Sequence, residues 1–198
     1  MRAKLPQLVT GRLVLVGIEN ADEDFLVGLN TDPEVMRYIH TGVMSVGAAR
    51  SYAEAQIQME AFRQDSPFRH TRMFGMWIIR LGASGERIGW IETFKFSYGE
   101  GGKWLGDYAA IGYQFAPKFW GKGYASDAIL SIIHYLRTVK KQDKIFAYVR
   151  PENKRSVRVL EKAGFHCIHQ SFVDEGHRNE VYGWFRDLPQ ANDATERL

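Results

Sequence analysis

The chain has only one cysteine, Cys167, among its 198 residues. A single thiol excludes an internal disulfide and a zinc site built from several cysteines, and it fits a reducing compartment. Long apolar runs are also missing at the start of the chain, where MRAKLPQLVTGRL predicts neither a signal peptide nor a transmembrane helix. We therefore expect a cytoplasmic protein whose cysteine is an inert core thiol rather than a nucleophile.

The excess of charge is small as well. With 26 basic against 23 acidic residues the formal net charge is +3, which is too weak a bias to indicate nucleic-acid binding. It is compatible with a phosphorylated small molecule as ligand. Chain length and a hydrophobic content of 45% predict a single domain over residues 1–187, followed by a polar C-terminal tail over 188–198.

Hydrophobic periodicity predicts a mixed α/β sheet with the element order β-α-α-α-β-β-β-α-β-α-β-β. The first strand is predicted as one run over 8–18, and the glycine-rich residues 97–107 are predicted as a loop. A strand over 108–115, a helix over 124–139 and a strand over 144–149 form a βαβ unit. The two strands of such a unit are expected to be parallel.

The turn inside this βαβ unit has the composition of an anion site. Residues 114–125 read QFAPKFWGKGYA and connect the strand to the helix through Gly121 and Gly123. Unpaired amides and the dipole at a helix N-terminus attract phosphates, and Lys118 and Lys122 add positive charge. A Walker loop is excluded because the lysine of that motif directly follows its last glycine, whereas Lys122 lies between Gly121 and Gly123. The dinucleotide-binding fingerprint G-x-G-x-x-G/A is a better match, but this chain has Ser126 at the sixth position, and the turn comes after four strands.

A third interpretation is a site for the pyrophosphate of an acyl-CoA. Residues 118–123, KFWGKG, are similar to the Q/R-x-x-G-x-G/A signature of the GNAT acetyltransferases. Further blocks resemble the branch of that family that contains ribosomal-protein N-acetyltransferases of the RimJ/RimL type. In chain order these blocks are TGRLVL at 10–15, DPEVM at 32–36, IGY at 111–113, WGKGYA at 120–125 and N-x-x-S-x-R-V-L-E-K-x-G-F at 153–165.

This resemblance implies the GNAT acyl-CoA N-acyltransferase fold. That fold is a mixed, mostly antiparallel sheet of about seven strands flanked by helices, with one splayed pair of parallel strands. The pantetheine arm of acetyl-CoA is then expected between the strand ending at Phe115 and the strand ending at Val149. The resemblance assigns the contacts with acetyl-CoA to Phe115, Lys118, Phe119, Trp120, Gly121, Lys122, Gly123, Tyr124, Ala125 and Asn153. Asn153 is also well placed to cap a helix.

For catalysis the first candidate base is Glu92. It shares one face of a predicted strand with Ile88, Trp90, Phe94 and Phe96, where burial would raise the pKa of its carboxyl group. The alternative is a bent or edge strand, where the carboxylate reaches water or pairs with a lysine. A second candidate base is Asp107, at the end of the predicted loop.

The leaving thiolate needs a hydrogen-bond donor. Many GNAT enzymes use a tyrosine at the position where this chain has Leu160, so that role is absent or moved. The RimJ/RimL-like pattern suggests Ser156 as the substitute, although a serine in a first helical turn often bonds to the backbone. Tyr182 in the last strand is a weaker candidate.

The resemblance implies transfer of acetyl from acetyl-CoA to a primary amine by direct attack, and it is compatible with a homodimer. The amine is a protein N-terminus or a small molecule such as a polyamine or an amino sugar. The alternative is a non-catalytic acyl-CoA-binding or sensing domain on the same fold. We expect no metal, because a complete ligand set does not accompany His166, His169 and His177.

Overall fold

The computed structural model describes residues 5–62, 74–100, 103–174 and 176–186. The predicted tail over 188–198 lies outside them. Within the described residues the strands are β1 Leu8–Val9, β2 Leu13–Gly17, β3 Gly75–Leu81, β4 Arg87–Glu100, β5 Lys103–Phe115, β6 Lys144–Val149, β7 His166–Asp174 and β8 His177–Phe185. The α-helices are α1 Glu23–Thr31, α2 Pro33–Met36, α3 Val46–Phe62, α4 Tyr124–Thr138 and α5 Lys154–Lys162.

All eight described strands belong to one sheet in the order β1-β2-β3-β4-β5-β6-β8-β7. Neighbours are antiparallel except β5 and β6, which are parallel and are connected through α4. The predicted mixed sheet, with its single parallel pair, is therefore confirmed. The count is eight strands, where about seven were expected.

The extra strand comes from the first apolar run, for which the prediction of one strand over 8–18 was wrong. The run folds back on itself, so that Leu8 pairs with Leu15 in an antiparallel hairpin. The Thr10 side chain makes the reversal, because its Oγ1 accepts hydrogen bonds from the backbone amides of Arg12 and Leu13 at 3.3 and 2.9 Å. Both sides of the turn are apolar, so hydrophobicity alone does not reveal it.

The predicted loop over 97–107 was wrong as well. Strand β4 continues to Glu100 and β5 begins at Lys103, and their backbones pair from Ser97 with Asp107 to Glu100 with Lys103. Glycine and polar residues lowered the strand signal there. Backbone pairing across a hairpin does not require apolar side chains, because the β preference of a residue depends strongly on its context.

The helices cover the sheet on two faces. Helices α4 and α5 pack on one face around a core that contains Trp77, Ile111 and Leu160. Helices α1, α2 and α3 pack on the other face, where Trp90 and Met36 are buried. The side chains of each strand point alternately to the two faces of the sheet. Consecutive side chains of β5 therefore face α4 and α5 on one side and α1, α2 and α3 on the other.

Two helix boundaries coincide with residues suited to capping. The Asp32 carboxylate accepts hydrogen bonds from the amides of Glu34 and Val35, which starts α2 at a proline. Helix α5 ends at Lys162 and is followed by Gly164, whose φ is 85°, and by the buried Phe165. No helix in the described ranges is both long and apolar enough to cross a membrane.

Candidate functional site

The parallel strands β5 and β6 separate soon after they meet. Their register contains two pairs, Ala109 with Ile145 and Ala110 with Phe146. Strand β5 nevertheless continues to Phe115 and β6 to Val149. A wedge-shaped gap therefore opens between the last residues of the two strands, and it is the predicted splay of the parallel pair.

The backbone of β5 on the gap side can be identified from its pairing with β4. The amide of Ala116 donates to the carbonyl of Ile88 at 2.9 Å, so Ala116 faces β4. Because backbone groups alternate along an antiparallel strand, those of Ile111, Tyr113 and Phe115 point towards the gap. Such a strand edge can pair with an extended ligand as if the ligand were another strand.

One of these groups already has a partner. The indole Nε1 of Trp120 donates to the carbonyl oxygen of Phe115 at 2.7 Å. This bond holds the chain after β5 in a tight reversal, with the short 3-10 turn Pro117–Phe119 between the two residues. Trp120 thus positions the glycine turn directly at the wide end of the gap.

The glycine turn has the backbone conformation that an anion site needs. Gly121 and Gly123 have φ values of 75° and 81°, in the left-handed region where only glycine is free of strain. Gly123 is the N-cap of α4 and carries no side-chain cap, so the first amides of the helix have no capping side chain. A Cβ atom on Gly121 would have no atom of the described residues within 4 Å, so this part of the turn is open.

The two lysines of the turn differ in their surroundings. Lys118 Nζ lies 2.6 Å from Glu86 Oε1, so the charge of Lys118 is already compensated. Lys122 Nζ lies 5.7 Å from the centre of the Phe119 ring. The Phe119 side chain itself is buried in the core, so only its backbone is available to a ligand. Lys122 and the helix amides are therefore the main positive groups of the turn.

On the α5 side of the sheet, three polar residues are connected. Asn153 Oδ1 accepts a hydrogen bond from the Ser156 amide at 3.2 Å, so the predicted helix cap is present. Ser156 Oγ lies 2.7 Å from the hydroxyl oxygen of Tyr113 on β5. This hydrogen bond joins the first turn of α5 to the gap edge of β5. Burial raises the pKa of Tyr113 to about 12, so its hydroxyl stays protonated in neutral solution.

Sequence reasoning assigned no role to Tyr113, although it noted the IGY block. A signal was present in the alternation of β5. Tyr113 has the same parity as Ile111 and Phe115, which places all three on the face covered by α4 and α5. A tyrosine there needs a partner for its hydroxyl, and the first turn of α5 supplies one.

Glu92 lies on the opposite face of the sheet. It pairs across strands with Gly112, and its Oε1 lies 3.7 Å from the place where a Cβ on Gly112 would be. The half-buried carboxylate therefore lies over β5, just beyond the last pair that β5 makes with β6. Ile88 was predicted on the same face as Glu92, but it packs in the core on the α4 and α5 side. The reason is a bulge in β4: Ile79 and Arg80 of β3 pair with Gly89 and Arg87, so Ile88 has no partner on β3.

The remaining candidates contribute less. Leu160 is buried in the core, so its position supplies no hydroxyl group. Tyr182 lies on β8 opposite Ala147, across β6 from the gap, and burial raises the pKa of its hydroxyl. The Asp107 side chain lies outside the described residues. Among the residues that the structure describes, no group of His, Cys, Asp and Glu side chains is arranged to hold a metal ion.

The family model for the acetyltransferase (GNAT) domain matches residues 12–166. The chain belongs to the GNAT acetyltransferase family. The uncharacterized N-acetyltransferase p20 of Bacillus licheniformis is 31% identical over 159 residues, which cover 80% of this chain and 81% of p20. The protein is thus an N-acetyltransferase that uses acetyl-CoA as its acetyl donor.

Solved structures share the fold. A GNAT-family acetyltransferase from Bacillus anthracis superposes with a TM-score of 0.73 at 24% identity, covering 92% of this chain and 100% of that one. The spermidine N-acetyltransferase of Vibrio cholerae, solved with CoA and spermine, has a TM-score of 0.63 at 21% identity and covers 89% of this chain and 97% of its own. At such identities the likeness establishes the architecture.

The open side of Gly121 gives a direct test of the glycine turn. Gly121→Ala should weaken acetyl-CoA binding about tenfold or more, because a methyl group would project into the space next to the helix amides and strain the left-handed backbone. Isothermal titration calorimetry with acetyl-CoA measures the change.

Gly176→Ala is the matched control, since Gly176 has a φ of 79° and equally open surroundings in the turn before β8. It carries the same backbone strain at a distance from the site. Equal affinities of the two variants would contradict the assignment of the turn to the phosphates.

Proposed function

We propose that the protein transfers an acetyl group from acetyl-CoA to a primary amine by direct attack within a ternary complex. The observation that carries this proposal is the gap between β5 and β6, which has the glycine turn at its wide end. A carboxylate lies on one face of the sheet at the gap, and a pair of hydroxyl groups lies on the other.

In this proposal the donor lies along the gap. The amides of Gly121, Gly123 and Tyr124, together with Lys122, hold the pyrophosphate at the N-terminus of α4. Backbone groups of Tyr113 and Phe115 pair with the pantetheine arm. The remaining residues assigned to acetyl-CoA are Lys118, Phe119, Trp120, Ala125 and Asn153, with Phe119 acting through its backbone and Asn153 through the start of α5.

The arrangement separates the two proton requirements of the reaction. An alkylammonium ion, with a pKa near ~10, must lose a proton before its nitrogen can attack the thioester carbon. Glu92, acting through water, accepts that proton on the face covered by α1, α2 and α3. The attack forms the N–C bond of a tetrahedral intermediate, and its collapse breaks the C–S bond while the second amine proton passes to solvent. The Ser156 hydroxyl donates a hydrogen bond to the leaving thiolate on the opposite face.

Tyr113 supports Ser156 in this scheme. Because its pKa is raised to about 12, Tyr113 is a neutral donor at physiological pH. Its proton can be directed at Ser156 Oγ, which leaves the serine proton free for the thiolate. The amides of β5 on the gap side are suitably directed to stabilise the oxyanion of the tetrahedral intermediate. The pair of hydroxyls thus replaces the tyrosine that is missing at Leu160.

The acceptor is a primary amine, either a protein N-terminus or a small molecule. The sequence blocks at 10–15, 32–36 and 153–165 support the RimJ/RimL-like branch and hence a peptide N-terminus. The relative crystallised with spermine supports a polyamine. Both acceptors present a cationic amine, which the Glu92 carboxylate would attract.

The test is release of CoA thiol from acetyl-CoA with a panel of amines. The panel contains peptides with free N-terminal Ala or Ser, spermidine, and an amino sugar. Thiol release that requires one of these amines, with the acetylated product seen by mass spectrometry, supports the proposal. Tight binding of acetyl-CoA without turnover on any of them would contradict the proposed acceptor class.

Replacement of Glu92 tests the base. Glu92→Gln should lower kcat about 100-fold near neutral pH, and the loss should shrink as the pH approaches the pKa of the amine, because a deprotonated amine needs no base. The measurement is the pH–rate profile with the best acceptor. Glu54→Gln, an exposed carboxylate on α3, is the control and should leave the profile unchanged. A normal profile for Glu92→Gln would remove Glu92 from the mechanism.

Replacement of the two hydroxyl groups tests the acid side. Ser156→Ala should lower kcat about 100-fold, and Tyr113→Phe about tenfold, with little change in KM for acetyl-CoA. Since Tyr113 acts through Ser156, the double variant should be no slower than Ser156→Ala alone. Tyr135→Phe, at a buried tyrosine of α4, is the control. Multiplicative losses in the double variant would show independent roles.

Tyr113→Phe has a second readout, in stability. The ordinary pKa of tyrosine is 10.0 and the folded value is about 12. Between these values the unfolded chain releases the proton that the folded protein keeps, so the free energy of unfolding of the wild type should fall as the pH rises from 10 to 12. The variant should lose this part of the alkaline decline in urea titrations.

A further inference from the structure

The Arg12 side chain extends from the β1–β2 hairpin to the glycine turn. Arg12 lies in the reversal between β1 and β2, where Thr10 Oγ1 accepts a hydrogen bond from its amide. Its side chain extends away from that hairpin and contacts Lys122 and Asp127, which follow Arg12 in the chain by 110 and 115 positions.

The guanidinium makes several polar contacts at the turn. Its Nη1 donates to the Lys122 carbonyl oxygen at 2.9 Å. Its Nε and Nη2 lie 2.8 and 2.7 Å from Oδ2 of Asp127, which is in the first turn of α4. The guanidinium carbon is also 4.9 Å from the centre of the Tyr124 ring. The same side chain thus reaches the turn, its N-cap region and the helix that follows.

The bond to the Lys122 carbonyl fixes the orientation of a peptide group. In a trans peptide the carbonyl of Lys122 and the amide N–H of Gly123 point in opposite directions. With the carbonyl held towards Arg12, the Gly123 amide is directed away from Arg12. That amide is one of the donors assigned to the pyrophosphate. Rotation of this peptide would present an oxygen to the phosphates in place of an N–H group.

The ion pair with Asp127 removes an electrostatic conflict. A carboxylate in the first turn of a helix stabilises the helix, but it repels an anion that binds at the same N-terminus. Arg12 balances the charge of Asp127 at contact distance. The two side chains are 49% and 30% exposed, so solvent screens the interaction and its effect is moderate.

We propose that Arg12 is a positioning residue for the phosphate groups of the acyl donor. It holds the peptide between Lys122 and Gly123 in the orientation that offers an amide, and it compensates the charge of Asp127. The ligand class is a thioester donor that carries a pyrophosphate, and this inference rests on the proposed donor site. Arg12 does not contact the reacting atoms.

The experiment compares two donors that differ in the phosphates. Acetyl-CoA carries the nucleotide and the pyrophosphate, whereas acetyl-pantetheine carries neither. Arg12→Ala should raise the Kd for acetyl-CoA about tenfold, and it should leave the Kd for acetyl-pantetheine unchanged. Adding Asp127→Asn to Arg12→Ala should recover part of the lost affinity, because the uncompensated carboxylate is then removed.

Arg50→Ala is the matched control. Arg50 forms a similarly exposed ion pair with Glu23 and Asp24, at 47% exposure, on the surface of α1 and α3. It should not change the affinity for either donor. Its variant controls for the loss of an exposed arginine and its ion pair as such.

The outcomes separate this inference from the proposed function. An unchanged Kd for acetyl-CoA, or an equal loss with both donors, would overturn the positioning role. Absence of recovery in the double variant would overturn the charge compensation. If acetyl-CoA binding responds as expected but no amine is acetylated, the proposed reaction fails while the role of Arg12 stands.

Discussion

The divergence of β5 and β6 is the constraint on which the rest of the site depends. The two strands share only two register pairs, and each is held from its outer side instead. Strand β4 pairs with β5 from Gly89–Phe115 to Glu100–Lys103, and β8 pairs with β6 along its whole length. Because the outer neighbours hold both strands, the gap does not require bonds across it. Its backbone groups remain directed at whatever lies between the strands.

Side-chain hydrogen bonds hold the elements on the two sides of this gap in place, and they come from distant parts of the chain. The hydrogen bond between Tyr113 and Ser156 connects β5 to α5, which follows β6. Trp120 binds the last carbonyl of β5 and so sets the start of the glycine turn. Arg12 binds the far side of that turn from the first hairpin. Four side chains, Arg12, Tyr113, Trp120 and Ser156, thus hold the elements around one opening.

The sequence predicts those parts of this arrangement that depend on local patterns. The glycines at 121 and 123, the periodicity of α4 and the buried β6 indicate a βαβ unit with an anion site, and the cap at Asn153 starts its helix as expected. The reversal at Thr10 and the length of the β4–β5 hairpin escaped prediction. Both depend on hydrogen bonds that polar side chains and backbone make, which hydrophobicity does not record.

The parts of the site that sequence reasoning missed are contacts between distant residues. Neither the bond from Tyr113 to Ser156 nor that from Arg12 to Asp127 has a periodic signature, because each joins elements that meet only in the folded sheet. Lys118 shows the converse case. Its position in the glycine motif predicts a phosphate ligand, yet the β3–β4 turn brings Glu86 to within 2.6 Å of its amine.

The IGY block shows how one strand can serve both halves of the reaction. Gly112 and Tyr113 are neighbours, so their side-chain positions point to opposite faces of the sheet. A Cβ on Gly112 would lie 3.5 Å from the Phe94 ring and 3.7 Å from the Glu92 carboxylate, which is ordinary van der Waals contact, so only atoms beyond a Cβ would enter the space in which that carboxylate lies over β5. Tyr113 reaches Ser156 on the other face. A side chain larger than alanine at position 112 would therefore disturb the proposed base while leaving the hydroxyl pair in place, because the sheet itself separates the two.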